Sequence, residues 1–162
     1  RRADRIGAGG MEYPSRWLYS RVAPGLYLET SRRWGGPAAS YPAPLAVRAG
    51  TELSHARQTT APLYRVDMRP WNTDPAHPHD AVVHEVVAPR DAVLHFSWVR
   101  SPETMRRKFA WSGRASHYTR PEVYRRWVAR SARPRWAALT SLVRRQDWYR
   151  LVTIPEPPGG EP

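Results

Sequence analysis

The chain has 162 residues, of which 26 are lysine or arginine and 14 are acidic, and its formal net charge at pH 7 is +12. This length leaves room for one ordinary domain, and the absence of cysteine excludes disulfides, thiolate nucleophiles and cysteine metal sites. No apolar run is long enough for a transmembrane helix, so we expect no transmembrane segment. A chain without cysteine leaves the compartment open, and a cytoplasmic location is the default expectation.

The positive charge favours an anionic partner: nucleic acid, a phosphorylated ligand or an acidic membrane surface. The charge has a second explanation, because Lys108 is the single lysine and arginine without lysine is typical of a GC-rich genome. Eight Trp and eight Tyr supply large side chains, so a real core is expected despite the low mean hydropathy of −0.68.

The N-terminal third begins with a basic, glycine-rich segment over residues 1–12, which we expect to be flexible. A single domain is predicted over residues 13–154. Trp17 and Leu18 indicate a short buried element, and the alternation in residues 25–30 predicts a strand.

A segment rich in Pro and Gly follows over residues 31–50 and contains Trp34-Gly35-Gly36-Pro37. Irregular segments of this length are usually functional or disordered, and the aromatic residues favour function. Residues 51–57 are predicted to form a turn of helix, and residues 63–68 a weak strand.

A second loop, residues 69–80, carries Asp74, His77, His79 and Asp80 in the pattern D-x-x-H-x-H-D. These side chains are hard and borderline metal ligands, but the spacing is not that of a recognised zinc site. Both a metal site and an ordinary polar loop stay open here.

Two strands are predicted next, over residues 81–87 and 93–99. In the second, alternation places Leu94, Phe96 and Trp98 on one face and His95 with its alternate neighbours on the other. His95 fits either a satisfied core histidine or, with Arg100 and Lys108 following, an anion or metal–diphosphate site.

Three helical segments are expected after this strand. Ser101-Pro102-Glu103 has the residues of a helix start, with Ser as the N-cap and Pro at the first position. Met105 and Phe109 supply the buried stripe, and Gly113 is a plausible helix end. A second helix is predicted to start at Pro121, and its apolar positions are Val123, Tyr124, Trp127 and Val128. A third follows Pro134, and its apolar positions are Trp136, Leu139, Leu142 and Val143. Residues 151–154 are predicted to form a last strand, and residues 155–162 a disordered tail.

An ordered set of short motifs carries a family resemblance. It consists of His95-Phe96-Ser97-Trp98, Ser101-Pro102-Glu103 with Lys108, Ser116-His117-Tyr118 with Tyr124, and the upstream Trp34-Gly35-Gly36-Pro37. Residues 26–127 thereby resemble the C-terminal half of nucleotide-sugar-dependent glycosyltransferases of the GT-A type. The pattern is most similar to glycosyltransferase family 17 and its bacterial family 2-like relatives.

The resemblance implies an α+β fold, with C-terminal helices packed on a small mixed sheet, like the acceptor-side half of a GT-A fold. It implies transfer of a sugar from a nucleotide-diphosphate sugar to an acceptor glycan or another acceptor, with a divalent metal, Mn or Mg. His95 matches the late histidine that often holds this metal. The implied diphosphate- or substrate-binding residues are Trp98, Arg100, Lys108, His117 and Trp34.

The chain departs from this family at one decisive motif. It contains no Asp-x-Asp, the carboxylate pair that holds the metal, and no α/β nucleotide-binding half. We therefore expect either a truncated enzyme, with a metal only if the other half is present, or a module that has kept only a binding role. No catalytic residue is assigned.

The alternative is an arginine-rich, non-catalytic module that binds RNA or a ribonucleoprotein. Arginines are interleaved with aromatic residues over residues 118–130, which would suit an RNA surface. Tyr124 and Trp127 also fit the buried face of a helix. Peripheral membrane contact is the weakest possibility, because no strongly amphipathic Lys/Arg–Leu helix is apparent.

Overall fold

The computed structural model describes residues 7–40, 46–54, 59–68, 82–111 and 121–155, without the side chain of Trp111. Within these ranges strands and α-helices occur together, so the predicted α+β class is confirmed. The chain forms two compact units. The first unit comprises Arg1–Arg16 and Pro37–Leu94, and the second comprises Trp17–Gly36 and His95–Pro162. One domain over residues 13–154 stays a prediction.

Eight strands occur in the described ranges. They are β1 (Gly10–Glu12), β2 (Ser15–Ala23), β3 (Leu26–Thr30), β4 (Ala46–Val47), β5 (Leu63–Asp67), β6 (Glu85–Val86), β7 (Val93–His95) and β8 (Tyr149–Thr153). The strands predicted over residues 25–30, 63–68 and 151–154 are thus confirmed, with limits that differ by one or two residues. Of the strand predicted over 81–87, the described residues 82–87 form a strand at Glu85–Val86, in register with Val66 and Asp67 of β5.

The first sheet has the strand order β4-β1-β5-β6. It is mixed, since β1 is antiparallel to β4 and parallel to β5, which is in turn parallel to β6. The first unit also contains a small buried cluster of Ala39, Met68 and Ala92.

The second sheet has the order β7-β2-β3-β8, and β3 is antiparallel to both β2 and β8. Gly25 has a φ of +68° in the turn between β2 and β3, a conformation that favours glycine because it has no Cβ. β2 and β3 are the inner strands, and Leu28 of β3 lies opposite Leu151 of β8.

Three α-helices are described: α1 (Pro102–Trp111), α2 (Pro121–Ala132) and α3 (Pro134–Thr140). All three begin at the prolines that the sequence indicates. The predicted N-cap of α1 is also confirmed, because the Thr104 amide donates to Ser101 Oγ over 3.2 Å. None of the helices in the described ranges combines the length and the apolar character that crossing a membrane requires.

The core of the second unit lies between these helices and the second sheet. Its buried members are Tyr19, Leu28, Trp98, Met105, Trp127, Ala137 and Tyr149. Trp127 of α2 donates from Nε1 to the carbonyls of Tyr19 and Trp98, at 3.3 Å and 3.2 Å. The helices after residue 101 therefore pack on a small sheet, as predicted.

Candidate functional site

The segment between β7 and α1 positions most of the predicted site residues. β7 ends at His95, and the Val99 amide then donates to the Phe96 carbonyl over 2.9 Å and closes a turn. The strand predicted over residues 93–99 is therefore too long. The turn also breaks the predicted alternation, because Trp98 is buried while Phe96 is exposed. The Trp98 ring stacks on Tyr19, with centroids 5.7 Å apart.

His95 lies half-buried at the end of β7. Its Nδ1 is 3.3 Å from Ser97 Oγ, and its ring centroid is 5.1 Å from that of Trp17. Burial lowers the pKa of His95 below its usual value, and the charge of Lys108 lowers it further. The imidazole is therefore mainly neutral at pH 7, with its proton affinity reduced by a neighbouring cation.

Lys108 reaches back from α1 to the same turn. Its Nζ donates to the Ser97 carbonyl over 2.9 Å and lies 5.2 Å from the centroid of the Trp98 ring. Burial lowers the pKa of Lys108, and the charge of Arg100 adds to this effect. Arg100 and Lys108 thus repel, as do Lys108 and a protonated His95. We call these three residues the basic row.

The basic row is an electrostatic arrangement that an anion would stabilise. Each added negative charge would offset the mutual repulsion and raise the pKa values of His95 and Lys108. Because Lys108 and His95 are half-buried, solvent screens such an anion less than it would at an open surface. The row can therefore contact a phosphate or diphosphate group.

Arg100 also lines a cavity of about 660 Å³ at the N-terminal end of α1. Arg21 is a second cation in its wall, and Ser20, Ser101 and Ser131 contribute hydroxyls. Ser20 is only 5% exposed, and its Oγ has no hydrogen-bond partner among the residues that the structure describes; the same holds for the buried Oγ of Ser131.

Sequence reasoning did not find Ser20, Arg21 or Ser131. A serine in a strand and a serine in a helix carry no motif, and only the packing of α2 on β2 places them in one cavity. The alternation of side chains in β2 assigns each residue to one face of the strand, but it does not reveal which helix packs on that face.

Trp34 lies in a separate part of the second unit, in a 3-10 turn over Arg33–Gly35. Its φ is +67°, which is strained for a bulky residue, and its side chain is 70% exposed. The Arg33 guanidinium lies 4.9 Å from the ring centroid. Strained, exposed aromatic residues of this kind are common at ligand contacts.

A buried ion pair holds this turn in place. Arg150 of β8 donates from Nε to Glu29 Oε2 over 2.8 Å and from Nη1 to the Gly35 carbonyl over 3.3 Å. Glu29 is fully buried. The strained turn is therefore tied through Arg150 to the centre of the second sheet.

His95, the predicted metal ligand, needs further ligands nearby to hold a metal ion. Within the ranges that the structure describes, no group of three or more His, Asp or Glu side chains is placed to hold a metal ion. His95 therefore does not make up a metal site with the described residues alone. Two other predictions fall outside the described residues: the D-x-x-H-x-H-D motif at residues 74–80, and His117.

Comparisons with known proteins find nothing similar: no family model, no curated protein and no solved structure matches the chain.

Proposed function

We propose that the chain is part of a glycosyltransferase and that its second unit binds the diphosphate of a nucleotide-diphosphate sugar. The observation that carries the proposal is the basic row, in which Lys108 is held at the Ser97 carbonyl near the half-buried His95. Burial lowers the pKa of both His95 and Lys108, the charge of Lys108 lowers that of His95 further, and the charge of Arg100 does the same to Lys108. A bound anion would offset the repulsion between Lys108 and the neighbouring charges. The resemblance of the His95-Phe96-Ser97-Trp98 stretch to GT-A enzymes supplies the transferase class.

Each member of the row has a distinct part in this proposal. Lys108 is held by the Ser97 carbonyl and the Trp98 ring, so its ammonium is positioned before the ligand arrives. Arg100 is exposed and lines the cavity with Arg21, so further phosphate oxygens would find guanidinium donors there. His95 is mainly neutral at pH 7 in the free protein and gains a proton more readily once the anion is bound.

Trp34 has a different part in the proposal. Its exposed ring is rigidly presented by the turn that Arg150 holds, so it suits stacking on the face of a sugar. A rigid aromatic platform loses little conformational freedom on binding. We assign it to the sugar of the donor or acceptor rather than to the diphosphate.

The test is isothermal titration calorimetry with UDP, GDP and inorganic pyrophosphate. Lys108→Met should weaken binding about ten- to a hundredfold, the loss typical of one charge-assisted contact, and the more exposed Arg100→Gln should weaken it less. Arg106→Gln removes one charge from the exposed side of α1 and is the matched control. Equal losses for Lys108→Met and Arg106→Gln would reduce the proposal to general charge attraction.

A further inference from the structure

An exposed apolar surface lies on the C-terminal helix of the second unit. Four large apolar side chains between residues 136 and 143 are exposed: Trp136 by 61%, Leu139 by 57%, Leu142 by 47% and Val143 by 85%. They recur at spacings of three and four residues through α3 and the 3-10 turn Ser141–Val143, so they share one face. We call this face the apolar stripe.

The opposite face of the same segment is firmly fixed. Ala137 and Ser141 are buried. Ser141 Oγ donates to the Ala137 carbonyl over 2.8 Å and accepts from the Tyr149 amide, also over 2.8 Å, which ties the segment to β8. The exposure of the apolar stripe therefore follows from the packing of the segment, since turning it inward would expose this buried side.

The charged residues next to the apolar stripe in the sequence are arginines. Arg133 and Arg135 precede it, and Arg144 and Arg145 follow it directly. Between Glu122 and Asp147 the sequence contains seven arginines and no acidic residue. An apolar surface that includes tryptophan and leucine and is flanked by arginine is the composition of elements that lie in the interface of an anionic bilayer.

We propose that the apolar stripe and its flanking arginines bind the surface of an anionic lipid membrane. The aliphatic and indole side chains enter the boundary between headgroups and acyl chains, while the arginines contact lipid phosphates. The lack of a strongly amphipathic Lys/Arg–Leu helix argues against membrane contact in the sequence. In the structure a short helix and a 3-10 turn present the surface together.

Charge and side-chain type favour lipid over two other occupants. A second copy of the chain would bring two arginine clusters together, and the net charge of +12 opposes this. RNA would explain the arginines but not the exposed Leu139, Leu142 and Val143, since RNA surfaces use aromatic stacking and cations rather than aliphatic side chains.

The experiment compares co-sedimentation of the full chain with vesicles of phosphatidylcholine alone and of phosphatidylcholine mixed with phosphatidylglycerol. We expect binding to the anionic vesicles only. Trp136→Ser with Leu139→Ser should weaken it at least about tenfold, and Arg133→Gln with Arg135→Gln about ten- to thirtyfold. The matched control, Arg90→Gln with Arg106→Gln, removes the same charge at exposed positions elsewhere and should change binding less than about threefold.

A second readout uses the absence of cysteine in the chain. A polarity-sensitive dye on Leu139→Cys should shift to the blue on anionic vesicles, while the same dye on Val82→Cys, also exposed, should not. An unshifted dye at position 139 would overturn the proposal even if the chain sedimented. So would equal weakening by the control pair, or binding to RNA with no binding to vesicles.

Discussion

Replacing Arg150 with methionine tests the ion pair that holds the second sheet and the Trp34 turn. Methionine keeps much of the length of the side chain but removes its charge and both hydrogen bonds, to Glu29 Oε2 and to the Gly35 carbonyl. Glu29 is fully buried, so its carboxylate would lose the charge and hydrogen bond of Arg150 without gaining access to water.

The expected loss of stability follows from this burial. Removing one partner of a buried ion pair costs about 3–5 kcal/mol. The Arg150 side chain is 25% exposed, which places the expected cost at the lower end, about 3 kcal/mol. For a chain of this size each kcal/mol lowers Tm by roughly 2–4 °C, so Tm should fall by roughly 6–12 °C.

The assay is thermal unfolding followed by circular dichroism, with Arg107→Met as the matched control. Arg107 pairs with Glu103 one turn away on α1, and both side chains are exposed by 70% or more. An exposed pair of this kind contributes less than about 1 kcal/mol. If Arg150→Met lowered Tm no more than Arg107→Met, the inference that the buried pair stabilises this part of the fold would be wrong.

Three further predictions concern the helices and His95. Ser101→Ala removes the N-cap of α1 and should lower the free energy of unfolding by about 1 kcal/mol in chemical denaturation, whereas an unchanged midpoint would contradict a capping role. Trp127→Phe removes the indole N–H that two buried carbonyls share and should cost about 1–3 kcal/mol in the same assay; a neutral result would mean that the bond does not contribute. Burial lowers the pKa of His95 from 6.5, so near that pH the unfolded chain binds more protons than the folded one. Stability should therefore fall as the pH drops through about 6.5, and His95→Gln should fall less; parallel curves would contradict this.

Local signals in the sequence were sufficient to predict the helix starts. Ser101-Pro102-Glu103 specifies its own capping geometry, since the hydrogen bond from the Thr104 amide to Ser101 needs no distant partner. Strand limits were harder to predict, because they depend on a neighbouring chain segment. Residues 93–99 alternate as a strand should, yet the chain turns after His95 and buries Trp98 against Tyr19.

The candidate site also contains residues that local sequence predicts and residues that depend on packing between distant segments. The association of His95, Arg100 and Lys108 was predictable, since a strand end, a turn and the first turns of a helix are close in sequence. The hydroxyls of Ser20 and Ser131 were not, because their placement depends on how α2 packs on β2. The exposure of Trp136 and Leu139 was also missed, since helical spacing does not reveal whether a face is covered.

The central claim, that the basic row binds a diphosphate, is tested most directly by the pKa of His95 measured by NMR with and without UDP. One unit charge at roughly 10 Å, with an effective dielectric constant of about 20, contributes about 1.7 kcal/mol. The account therefore predicts a pKa below 6.5 in the free protein and a rise of about one pH unit with UDP bound. A His95 pKa that does not move at saturating UDP, or chemical shifts that do not respond to UDP at all, would contradict the account.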